Sequence, residues 1–111
     1  MAKYEKRFKG DFDVFKDYIY DRIINASSSV SYEDGSEVSM GDTRLAVQVF
    51  ERYSMTGGNR VSLNLSIMAK DDEIFLSAIA SGGSQAVFFK INTIGEETFL
   101  NECIEAVEDY L

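Results

Sequence analysis

Between residues 45 and 80 the chain is built from runs in which apolar residues recur at every second position, and no proline interrupts them. Val61, Leu63, Leu65 and Ile67 alternate with Ser62, Asn64, Ser66 and Met68. Successive side chains of a β-strand point to opposite faces, so a period of two predicts a strand with one covered face. Leu45, Val47 and Val49 form another such run, as do Ile74, Leu76, Ala78 and Ala80, and then Val87, Phe89 and Ile91. Val30 with Tyr32, and Val38 with Met40, predict a shorter pair. Residues 3–9 alternate more weakly, with Tyr4, Lys6 and Phe8 on one face, the pattern of an edge strand.

Facing residues in an antiparallel pair must share a sheet face, and this requirement tests each turn. Asp71-Asp72 as a two-residue loop sets Ile67 against Leu76, Met68 against Phe75, and Lys70 favourably against Glu73. Before it, a loop Thr56-Gly57-Gly58 avoids opposing Arg52 with Arg60 and gives Gly58 the position that needs a positive φ. A loop Glu33-Asp34-Gly35 keeps Val30 against Val38. Ser81-Gly82-Gly83-Ser84-Gln85 is the densest cluster of glycines and hydroxyls in the chain. With Gly83-Ser84 as its turn, Ala80 faces Val87, Ile79 faces Phe88 and Ala78 faces Phe89. Glycine-rich segments also cradle anions, but phosphate loops lead from a strand into a helix N-terminus. This one leads into Ala86–Ile91, which reads as a strand, so a hairpin is the stronger expectation.

Two helices frame the sheet. Asp11 caps the first, whose apolar positions Phe15, Tyr18, Ile19 and Ile23 follow helical spacing, and Asn25 to Ser29 end it. Thr93 and Glu96 form a capping box before the stripe Phe99, Leu100, Cys103, Ile104, Val107 and Leu111. The expected order is β-α-β-β-β-β-β-β-α. This is one α+β domain over residues 1–111, an antiparallel meander of about five to seven strands with both helices packed on one face.

Composition removes several functions. The net charge of −8 disfavours nucleic acid, whose phosphates need concentrated Lys and Arg. No run approaches the roughly 18 apolar residues of a membrane span, so no membrane partner is expected. Met1 to Lys9 lacks the apolar stretch of a signal peptide, and the single cysteine forms no internal disulfide framework. Both point to the cytoplasm. There is no histidine, so Ser81 and Ser84 lack the base of a Ser-His-Asp mechanism. Cys103 sits on an apolar stripe with no basic neighbour and reads as a structural thiol. Asp71, Asp72 and Glu73 lack calcium-loop spacing. Arg44, Glu51, Arg52, Tyr53 and Arg60 read as surface charge, and the acidic final segment as a solvated helix face. No metal, cofactor or enzymatic activity is expected.

The second sheet face holds the functional interest. In this reading it carries a polar middle (Gln48, Asn64, Ser62, Ser66, Ser77) and an apolar group (Phe50, Met68, Phe75, Ile79, Phe88). If the helices cover the opposite face, that group stands in water, and contiguous exposed apolar area marks a binding surface. The expected occupant is a second copy first and then a protein partner or small ligand, with burial under sheet curvature as the remaining reading. Ser81, Gly82, Gly83, Ser84 and Gln85 then rim it.

The segments Glu51-Arg52-Tyr53-Ser54-Met55-Thr56-Gly57-Gly58-Asn59-Arg60 and Ser81-Gly82-Gly83-Ser84-Gln85-Ala86-Val87-Phe88-Phe89-Lys90 resemble those of an uncharacterised family of short bacterial proteins, mainly from Gram-positive anaerobes. The resemblance covers nearly the whole chain and implies no activity. The element order is also similar to the helix-grip order of Bet v 1-like and START-like domains, which implies a ligand between sheet and last helix. This chain is shorter and has one early helix instead of two. The reading that follows is a non-catalytic binding or interaction domain that forms a homodimer through its second sheet face. The alternative is a carrier of a small apolar or anionic ligand.

Overall fold

The computed structural model describes residues 1–53, 60–82 and 89–111, with the backbone alone for 89–95. Its elements are β1 (Ala2–Lys9), α1 (Phe12–Ile24), β2 (Val30–Met40), β3 (Thr43–Tyr53), β4 (Arg60–Lys70), β5 (Glu73–Gly82) and α2 (Phe89–Tyr110). The five strands form one sheet in the order β1-β5-β4-β3-β2, and every neighbouring pair is antiparallel.

Local chemistry accounts for α1. Asp11 is extended, and its carboxylate accepts the Val14 N–H at 2.9 Å, satisfying a helix N–H that has no carbonyl partner. Phe12, Phe15, Ile19 and Ile23 then line one buried stripe. At the far end the Asn25 side-chain amide donates to the Asp21 carbonyl at 2.8 Å. The β4–β5 turn is equally local. Lys70 pairs with Glu73, Ile67 with Leu76 and Met68 with Phe75, as the two-residue loop requires. Asp71 takes the left-handed conformation there, with φ 56°.

Alternate residues of the central strands are buried: Val61, Leu63, Leu65 and Ile67 on β4, and Ile74, Leu76, Ala78 and Ala80 on β5. They share one cluster with Phe15, Ile19 and Ile23 of α1 and with Phe99, Cys103 and Val107 of α2. A polar fringe surrounds that core. Arg44 holds Asp13 through both guanidinium nitrogens at 2.8 and 3.0 Å, Lys16 reaches Glu37 at 2.7 Å, and Arg52 reaches Glu102 at 2.6 Å. The Tyr18 hydroxyl donates to the Ala106 carbonyl at 2.6 Å and joins the two helices.

Four expectations are corrected. The pair Val30–Tyr32 and Val38–Met40 is a single strand, β2, running along β3 with a register shift between Tyr32 and Asp34. Asp34-Gly35 therefore lies at a bulge and not in a hairpin turn. A bulge keeps both segments paired with β3, whereas a hairpin would have paired only its second arm with it. Residues 89–91 begin α2 and do not form a sixth strand. Both edges of β5 are already taken, since Ala80 faces Ala2 on one side and Leu63 on the other. The Gly83-Ser84 turn and the Thr56-Gly57-Gly58 loop lie outside the described residues, but the register beside the latter is settled. Tyr53 pairs with Arg60 and Phe50 with Leu63, one residue away from the register that loop predicts. Finally, α2 starts before Thr93. Glu96 is buried, accepting the Gly82 N–H at 2.8 Å and pairing with the Met1 amino group at 2.7 Å.

Candidate functional site: the open face of the sheet

A slip of one residue moves every side chain of a strand to the other face, and the β3–β4 register has this consequence here. Gln48 and Phe50, expected on the open face, lie on the covered one. Phe50 is fully buried, with its ring 5.7 Å from that of Tyr20 and 5.6 Å from that of Tyr32. The Gln48 side-chain amide donates to the Lys16 carbonyl at 3.4 Å. In their place Leu45, Val47 and Val49, each half-buried, turn to the open face.

The cross-strand partners order this face into rows. One row runs Arg7–Phe75–Met68–Leu45–Val38 from β1 to β2. The next, two residues along, is Glu5–Ser77–Ser66–Val47–Ser36. A third is Lys3–Ile79–Asn64–Val49–Asp34. Beyond it Ser81 faces Ser62, and their hydroxyls lie 2.8 Å apart. Leu45, Val47, Val49, Met68, Phe75 and Ile79 thus form an apolar patch on the three inner strands. Met68 keeps 45% of its surface exposed and Ile79 keeps 37%.

The remaining expected residues are placed as follows. Met68, Phe75, Ile79 and Asn64 share the open face, and Ser81 stands at its end. Gly82 ends β5 and uses its N–H on Glu96. Phe88, Gly83, Ser84 and Gln85 lie outside the described residues. Leu45, Val47 and Val49 were missed because the face of β3 depends on the length of the loop that follows it. Arg44 and Arg52, which bracket the covered set, pair with Asp13 and Glu102 of the helices.

A cleft of about 580 Å³ between the helices is lined by Tyr18, Asp21, Arg22, Glu102 and Glu105 among others. Its cation is engaged, since Arg22 donates to Tyr18 Oη at 2.7 Å and to Asp109 at 2.9 Å. The acidic final helix is not simply solvated: Glu102, Glu108 and Asp109 take part in ion pairs with Arg52, Lys6 and Arg22. Burial pushes the Cys103 thiol up to about 12, which makes it a poor nucleophile. Among the described residues no group of three or more acidic or thiol side chains is arranged to hold a metal ion, and no helix is long and apolar enough to cross a membrane.

No curated protein and no solved structure matches the chain. A family match spans residues 1–111, in agreement with the resemblance read from its sequence segments, and the chain belongs to DUF6054, a family of unknown function.

Proposed function

We propose that this chain is a non-catalytic binding domain that associates with a second copy of itself through the open face of its sheet. The apolar patch Leu45, Val47, Val49, Met68, Phe75 and Ile79 carries the reading. Leu45, Val47, Val49, Met68 and Phe75 adjoin one another on β3, β4 and β5, and Ile79 stands beyond Ser77 and Asn64. All six lie on the face opposite the one whose buried residues cluster with both helices. Two sheets packed face to face, about 10 Å apart, exclude water from both inner faces at once. The sheet is antiparallel throughout, so an open face is compatible with its backbone pairing, and its apolar content is what calls for a cover.

Sedimentation equilibrium over a concentration series tests this. The expected result is a mass rising toward twice that of the chain. The variant Val47→Glu, with a charge at the patch centre, is expected to stay at the single-chain mass with an unchanged far-ultraviolet circular dichroism spectrum. A single-chain mass for the unmodified protein up to several hundred micromolar overturns the proposal.

A further inference from the structure

The row order of the open face also selects how a second copy would sit on it, an inference that rests on the self-association just proposed. Two sheets related by a twofold axis between them have two simple arrangements. The axis runs either along the strands or across them.

With the axis along β4, each row meets the same row of its partner, reversed from edge to edge. Leu45 then lies over Phe75 of the second copy and Val49 over Ile79, while Met68 meets its own copy. At the margin, Lys3 on β1 lies over Asp34 on β2 of the second copy, and by symmetry this contact occurs twice. With the axis across the strands, the row of Met68 meets the row of Asn64. Phe75 then lies over Ile79 and Leu45 over Val49, but Met68 covers Asn64, and Lys3 lies over Arg7, like charge on like charge.

We infer that the dimer axis runs along β4, so that the β1 margin of each copy lies on the β2 margin of the other and Lys3 pairs with Asp34 across the interface. Both residues are exposed in the single chain, and neither has an ion-pair partner among the described residues. Packed sheets cross at about 30°, which displaces the margins by several ångströms, and the long Lys3 side chain spans that offset. Lys70 meets its own copy at the end of the axis, where Glu73 of the same chain is its cross-strand neighbour and shares the charge.

Charge reversal separates the arrangements by sign. Lys3→Glu is expected to weaken association on the order of tenfold, because two rim pairs are lost and replaced by repulsion. Asp34→Lys is expected to weaken it comparably, although it reduces the net charge of −8 and so lowers the general repulsion between copies. The double variant K3E/D34K is expected to recover association close to that of the unmodified protein. A second readout uses a short thiol-bridging reagent. It is expected to join Met68→Cys into covalent dimers and to leave Val49→Cys, which lies off the axis, unjoined. The native thiol of Cys103 is buried and does not compete. Tighter association of Lys3→Glu, or a dimer whose Met68→Cys thiols are not joined, overturns this arrangement while leaving self-association standing. A monomeric unmodified protein overturns both.

Discussion

Truncating Phe50 tests the register on which the site depends. Phe50 is fully buried, faces Leu63, and completes a three-ring cluster with Tyr20 and Tyr32. Phe50→Ala removes most of a buried ring from a site enclosed by neighbours on β2, β4 and α1, for a cost of about 3–5 kcal/mol. Unfolding entropy of about 2.1 cal/mol/K per residue sums to roughly 230 cal/mol/K for this 111-residue chain. Each kcal/mol then moves the thermal midpoint by about 4 °C, so the expected fall is roughly 12–20 °C. Val49→Ala is the internal control. Val49 adjoins Phe50 but stands half-buried on the open face between Asn64 and Asp34, and its truncation is expected to cost about 1 kcal/mol or less in the single chain. The assay is calorimetry paired with urea unfolding at low protein concentration, where association does not contribute. A register one residue away would pair Phe50 with Asn64 and exchange the two results. Phe50→Ala within about 1 kcal/mol of Val49→Ala would therefore refute the face assignment.

Other consequences follow from single positions. A Cβ at Gly35 would overlap the Tyr32 hydroxyl and lie 2.5 Å from the Val47 carbonyl oxygen. Gly35→Ala is accordingly expected to destabilise by about 1–3 kcal/mol in urea unfolding, and a neutral result would place the bulge differently. The Arg44 hydrogen bond, opposed by burial and reinforced by the Arg44 and Lys16 charges, holds the Asp13 carboxyl below its ordinary value of 3.8. This contribution is present above that value and is lost as pH falls through the lower folded-state value. Arg44→Gln should remove that part of the acid-dependent loss, seen as a flatter stability curve below pH 4, and an unchanged curve counts against the pair. Cys103, with its thiol raised to about 12, should resist thiol reagents in the folded protein and react at the rate of unfolding; prompt reaction at neutral pH contradicts its burial.

What could be read from the sequence follows how far each determinant reaches along the chain. The α1 cap is legible because Asp11 and Val14 are three residues apart and the helix buries one stripe. The β4–β5 turn is legible because facing pairs and the Lys70–Glu73 charges agree on one loop length. That agreement also located Met68, Phe75, Ile79 and Asn64 on one face. β3 is different, because either of its faces can be covered. Leu45, Val47 and Val49 are the more apolar set, yet Arg44, Ala46, Gln48, Phe50 and Arg52 lie inward. The helices supply Asp13 and Glu102 for the two arginines, and Phe50 packs against the touching rings of Tyr20 and Tyr32. No residue near β3 announces those distant partners. Asp34-Gly35 is a strong local turn signal, but ten cross-strand pairs with β3 outweigh it. The run toward Ile91 alternates like a strand, but β1, from the opposite end of the chain, already holds the edge of β5 it would need.

The placement of β3 also bounds how strong the association can be. A fold that turns Arg44 and Arg52 inward and three aliphatic residues outward leaves part of its apolar side chains available to a partner. Completing the burial of a half-buried side chain of this size yields about 1 kcal/mol. The six patch residues of two copies then supply roughly 10 kcal/mol, against at least about 4 kcal/mol for lost translational and rotational freedom. At most about 6 kcal/mol then remains, which sets the dissociation constant at tens of micromolar or weaker. At that strength the patch provides the attraction, while the rim charges choose among arrangements of similar apolar burial. Phe75 lies over Leu45 in one arrangement and over Ile79 in the other, apolar on apolar in both, so apolar contact alone discriminates weakly. Lys3 meets Asp34 in one arrangement and Arg7 in the other, and that difference in sign lets charge reversal at two exposed positions report the geometry of the pair.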